Sequence, residues 1–222
     1  MKIIKFILPL AILNLIALIL VTYGLPSIVP IHIGLSGAIN AFGSRWYIPI
    51  IGIIPVFISI IFIVYAYTRS DNLNIDVGDK IFSVVAIFLI VISWMPVCLA
   101  LAFANYSGIS SGNFSYNEMI SFIGILLAIL FLFFSHYMDK IKPNRMLGIR
   151  TPWTLKNEEV WKKTHDLGSY TFMIAGFVLI VYSLASYLSG NNSYFFIGIV
   201  LCLVLVAVIP SIYSYFEYRK LN

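Results

Sequence analysis

Charge is what this sequence has least of. Only 10% of its 222 residues are Asp, Glu, Lys or Arg, while 61% are apolar, well above the roughly 45–50% of soluble globular chains. A chain so poor in charge cannot clothe itself in a hydrated surface, so the medium it is built for is the hydrocarbon of a bilayer. Cysteine is nearly missing as well. Cys98 and Cys202 both fall in apolar runs, where a thiol acts as a small hydrophobe, and this excludes a disulfide framework. The three histidines, His32, His136 and His165, are too scattered for a three-His metal centre, which leaves a pairing among His136, Asp139 and His165 as the one ligand set in reach. No G-x-S-x-G elbow is present and neither Cys has a His nearby, so nucleophilic catalysis has no visible machinery. Neither a cofactor nor a metal is implied, and no nucleic-acid reader motif accompanies the net charge of +5.

What is there is six apolar runs, each long enough to cross a hydrocarbon core about 30 Å thick as a helix of roughly 20 residues. They are Ile3 to Tyr23, Tyr47 to Thr68, Ile81 to Phe103, Met119 to Tyr137, Ser169 to Leu188 and Tyr194 to Phe216. The first starts with Lys2 and Lys5 but has no A-x-A-like site after it, so it reads as a retained anchor and not as a signal peptide. No acid or Arg lies inside any run, which argues against a proton- or ion-coupled transporter. Asn14 is the main polar exception in the first. Pro49, Pro55 and Pro96 can kink helices around a cavity, and for Pro96 and Pro210 the expected kinks are without functional consequence.

The basic residues then orient the chain. Thirteen of the 14 Lys and Arg fall on alternate connections and at the two termini, and only Arg45 falls on the others. Basic loops stay in the cytoplasm, so the expected fold is all-α: a polytopic membrane protein of six transmembrane helices, both termini cytoplasmic, in a prokaryotic plasma membrane. Anionic inner-leaflet lipid accounts for the positive balance.

Against this background the stretch KPNRMLGIRTPWTLKNEEVWKKTH, Lys142 to His165, stands out with six of the Lys and Arg. Pro143 and Pro152 push their predecessors to extended geometry, and Gly148 permits a turn. Asn157 has the side chain to cap a helix starting at Glu158, with Glu158 and Glu159 facing the positive end of its dipole. Glu158 with Lys162 and Glu159 with Lys163 are spaced i, i+4. Val160, Trp161, Thr164 and Leu167 share the opposite side. The expected result is a short amphipathic helix lying at the interface before the fifth span, with Trp153 and Trp161 as headgroup-level anchors. Arg145 and Arg150 have the forked geometry to hold a carboxylate, a phosphate or a helix C-terminus.

These residues closely resemble the signature of the SdpI family of bacterial and archaeal membrane proteins, in the runs Lys140-Ile141-Lys142-Pro143-Asn144, Gly148 to Leu155 and Glu159 to His165. The resemblance implies immunity to a secreted, membrane-active killing peptide, and a relay in which a soluble transcriptional repressor is drawn to the membrane. On it, Asn144, Gly148, Arg150, Thr151, Pro152, Trp153, Thr154, Glu159, Trp161, Thr164 and His165 are expected to carry partner contacts, with Arg150 as ionic anchor. The first outer loop, with Pro26, Pro30, His32, Gly34 and Gly37, resembles the P-x-H stretch of a small N-terminal module of unknown function that often precedes the signature. Its prolines and glycines predict an irregular connection, facing outward or re-entrant, and the resemblance implies that this is where the toxin peptide is met. Ser135-His136 replaces the family's Gly-Asn and Arg145 its aromatic, which points to a different peptide, or to none, if those positions set specificity. The chain thus divides into an N-terminal module (1–70), a third span with its flanks (71–117) and a signature region (118–222) holding the insert 138–168. The rival readings are a small transporter or channel, and a membrane enzyme acting on a phosphorylated lipid.

Overall fold

The computed structural model describes residues 4–33, 39–68, 75–106, 116–144 and 146–221. Its helices are α1 (Ile4–Tyr23), α2 (Tyr47–Thr68), α3 (Ile75–Ile92), α4 (Met95–Tyr106), α5 (Tyr116–Met138), α6 (Glu158–Ser189), α7 (Ser193–Leu203) and α8 (Ile209–Leu221), with one hairpin of β1 (Ile28–Ile33) and β2 (Ile39–Ser44). Because α3 runs on into α4, and α7 into α8, six units are long and apolar enough to cross a membrane. The chain is a multi-pass membrane protein. Large side chains such as Leu13, Val181 and Leu188 turn outward, the last 80% exposed, as lipid-facing positions should.

Both composite helices are broken beside a proline. α3 ends in a turn at Ser93 and Trp94, and Pro96 follows in the first turn of α4, where its missing N–H costs no hydrogen bond. Asn14 of α1 answers the break. Its amide donates to Ser93 Oγ at 3.2 Å and accepts from the Trp94 indole N–H at 2.7 Å, so the one amide inside the first span is paired, as a polar group in hydrocarbon must be. In the sixth span Val204–Val208 is π-helical, and the Ile209 N–H bonds to Val204 O, five residues back. Pro210 next to it cannot donate, and the widened turn absorbs that interruption.

α1, α2 and α3 pack on one another, while α6 packs along α5, α7 and α8; α3 against α5 joins the two sets. The most extensive helix packing is α5 on α6. A Cβ at Gly176 would lie 2.7 Å from Leu132 Cγ and 3.1 Å from Ala128 O, and one at Gly124 would collide with Ser183. Small residues at such crossings let two backbones meet where lipid gives no hydrophobic drive. At the start of α1, Ile4 N–H donates to the buried Asp79 of α3 at 2.9 Å, so an acid from another helix caps that N-terminus.

Two expectations need correcting. The connection after α1 is a two-stranded antiparallel hairpin and not an irregular loop, with Pro30 opposite Phe42 and register irregularities on either side of His32. Proline is accepted there because neither strand of a two-stranded sheet is central. The segment from Glu158 is likewise no separate interfacial helix. It is continuous with the fifth span as the 32-residue α6, some 48 Å long at 1.5 Å per residue, so its first turns stand clear of the hydrocarbon.

Candidate functional site

The polar loop between α5 and α6 is irregular in backbone but dense in hydrogen bonds. Asn144 makes an Asx turn: its Oδ1 accepts from Met146 N–H and Leu147 N–H, both at 2.7 Å, while its amide donates to Lys142 O at 2.8 Å. Gly148 follows with φ of 105°, a left-handed conformation that glycine alone adopts freely. A Cβ there would strike His165 Nε2. This close approach lets the loop lie on the first turns of α6.

His165 is the centre of that contact. Its Nε2 accepts from Ile149 N–H at 3.0 Å, and its Nδ1 donates to Trp161 O at 2.8 Å. Both ring nitrogens are thus committed to backbone, which fixes the neutral tautomer and removes His165 from metal ligation. Burial lowers its pKa below the ordinary value. His165 precedes the apolar run that starts at Ser169, so the ring sits outside the spanning part of α6. Trp161 stacks on it at 4.1 Å and donates its indole N–H to Ile141 O at 2.8 Å. Trp161 is 2% exposed. It is therefore a piece of core and not the expected headgroup anchor, because the chain leaving α5 brings it a carbonyl and excludes lipid.

Thr151 and Thr154 close the second half of the loop. Thr151 N–H donates to Thr154 Oγ1 at 2.9 Å, Thr154 N–H returns to Thr151 Oγ1 at 3.1 Å, and Thr154 Oγ1 also donates to Ile149 O. Thr151 Oγ1 meets Ser214 Oγ of α8 at 2.9 Å, and Trp153, half-buried, packs edge-on against Tyr215 at 5.1 Å. Asn157 caps α6 as expected, its Oδ1 accepting from Glu159 N–H and Val160 N–H. Lys163 bridges Glu159 at 2.9 Å and Glu217 at 3.2 Å. Hydrogen bonds to Glu159 and Glu217 raise the Lys163 pKa, while those from Lys220 and Lys163 hold the Glu217 carboxyl low.

Asn144, Gly148, Thr151, Thr154, Trp161 and His165 are thus drawn into one bonded unit. Arg150, Pro152 and Glu159 face outward. Arg150 has no ion-pair or hydrogen-bond partner among the described residues, and it lines a 370 Å³ cleft under the loop. Thr164 is buried with its hydroxyl unpaired among the described residues. Arg145 lies outside them. His136 is exposed and contacts Lys140, and no group of three His, Cys, Asp or Glu that could hold a metal occurs among the described residues.

At the opposite end of the bundle Pro26 is exposed and Pro30 buried. His32 Nδ1 pairs with Asn40 Oδ1 across the hairpin. Gly34 and Gly37 lie outside the described residues. Arg45 donates to Tyr23 O and Leu25 O at 3.1 and 2.7 Å, a cation at the negative end of α1. Beside the hairpin opens an apolar cavity of about 540 Å³, walled by Pro30, Ile48, Leu99, Ile120 and Phe195 among others. Sequence reasoning did not find Ser93, Trp94 or Ser214 as partners; the lone Asn14 was the signal that a partner had to exist.

Residues 140–214, from just beyond α5 into α8, match the SdpI/YfhL protein family. Over 101 residues the chain is 37% identical to the immunity protein SdpI of Bacillus subtilis (strain 168), an alignment that takes in 45% of this chain and 46% of that protein. The chain therefore spans about half the length of the curated relative it matches. No solved structure matches it.

Proposed function

We propose that this chain, whose residues 140–214 match the SdpI/YfhL protein family, is a membrane immunity protein that protects a cell against a membrane-active killing peptide. The observation that carries the reading is the 37% identity to a protein named for immunity, which falls in a region where the matched residues build one hydrogen-bonded unit rather than a loose linker.

The geometry supports a division of labour. The hairpin end, outward by the distribution of basic residues, offers an apolar cavity of about 540 Å³ between the two helix sets, suited to apolar side chains of a peptide already in the membrane. The polar-loop end, cytoplasmic on the same count, presents Pro152 and the edge of Trp153 to a soluble partner such as a repressor. α6 joins the two ends as one helix, so a shift at its far end is transmitted to the loop that rests on its first turns. Expression in a peptide-sensitive strain is the test. Cells carrying the protein in their membrane survive a dose that kills controls; equal killing ends the immunity reading.

A further inference from the structure

We propose that the 370 Å³ cleft under the polar loop is a binding site for an anionic phospholipid, with the headgroup on Arg150 and one acyl chain between the helices. The site goes beyond the immunity reading and rests on geometry alone. Its lining includes the Arg150 guanidinium, which is exposed and lacks any partner among the described residues. Its walls are apolar: Phe134 and Met138 from α5, Phe172 from α6, Ile81 from α3, and Val206 and Ala207 from the π-helical stretch.

Polarity therefore changes along the cleft. Arg150 and Gly148 lie on the loop, outside the spans, whereas Phe172 and Val206 lie within them. A ligand that satisfies both ends has an anionic head at the membrane surface and a hydrocarbon tail running inward, which is the form and orientation of a bilayer lipid. Free phosphate would satisfy the guanidinium and leave the walls empty. Arg suits this role better than Lys because its fork takes two phosphate oxygens at once.

The test is lipid retention by native mass spectrometry, on protein taken from vesicles of equal parts phosphatidylglycerol and phosphatidylcholine. Wild type keeps one phosphatidylglycerol in preference to phosphatidylcholine, and excess inorganic phosphate does not displace it. Arg150→Gln weakens that retention on the order of tenfold, the loss of one charge-assisted contact, and Arg150→Lys falls between. Ala207→Leu narrows the cleft while leaving Arg150 in place, and it lowers retention too. Equal retention of the two lipids by wild type overturns the site. So does unchanged retention in both Arg150→Gln and Ala207→Leu, each with wild-type thermal unfolding. Neither result touches the survival assay, so this site and the immunity reading fail separately.

Discussion

The two excursions from the helical bundle are built in opposite ways. The hairpin between α1 and α2 is regular backbone that bonds to itself strand to strand, and its side chains add little: the His32–Asn40 pair is exposed, and Arg45 serves α1 and not the strands. The polar loop between α5 and α6 has almost no backbone ladder. Its peptide groups are satisfied by side chains, from Asn144, Thr151, Thr154, Asn157, Trp161 and His165. A strand pair tolerates many sequences; a loop bonded through named side chains tolerates few. That contrast gives a physical reason for a recognisable signature in the loop.

The sharpest way to break the comparison is a matched pair of glycines. Gly148→Ala forces a side chain into a left-handed backbone and into His165, and it displaces the Ile149 hydrogen bond; the expected cost is on the order of 3 kcal/mol, read as a lower Tm in detergent. Gly43→Ala in the hairpin meets the Ile31 side chain and the Tyr47 ring at 3.0–3.1 Å, with no backbone in the way, and should cost under about 1 kcal/mol. Equal losses would mean that the loop is no more demanding than the hairpin.

Trp161→Phe keeps the stack on His165 but orphans the buried Ile141 carbonyl, with an expected loss of about 1–2 kcal/mol. Trp153→Phe, at a half-buried ring with no hydrogen-bond partner among the described residues, should cost less. If the two were equal, Trp161 would be acting as an interfacial anchor after all.

Protonation separates the regions by pH. Burial depresses the His165 pKa, so below about 6.5 the unfolded chain takes up the proton first. Stability is then flat above that value and declines as pH falls beneath it. Glu217, held low by Lys220 and Lys163, gives a loss of the same sign, but it begins only near the ordinary carboxylate range of about 4.3. His165→Asn should remove the upper decline and keep the lower one. Unfolding curves taken across pH decide it.

How much of this was legible in the sequence follows from range. The six spans, the Asn157 cap and the Gly148 turn are decided by neighbours within a few residues, and each can be read directly. The hairpin could not, because Pro26 and Pro30 signal interruption and say nothing of the strand pairing that an edge position permits. Trp161 was misplaced for a related reason. Its periodicity marks an apolar face, but whether lipid or protein covers that face depends on a carbonyl 20 residues away. Asn14 shows the limit most clearly: a polar residue in an apolar run announces that partners exist, yet Ser93 and Trp94 lie 79 and 80 residues off.

The smallest expected effect lies on the hairpin side, at its one basic residue. Arg45 donates to Tyr23 O and Leu25 O at the end of α1 and lies 5.9 Å from the Trp46 ring. Arg45→Lys keeps the charge beside the helix terminus but loses the reach to two carbonyls at once, so thermal unfolding should register a loss of at most about 1 kcal/mol. Arg45→Gln should be somewhat worse, since the favourable charge at the negative end of α1 goes as well. Both stay well below Gly148→Ala if backbone self-pairing carries the hairpin. A larger loss than at Gly148 would invert the comparison, because it would make one side chain the fastening of the hairpin and leave the loop the more forgiving of the two.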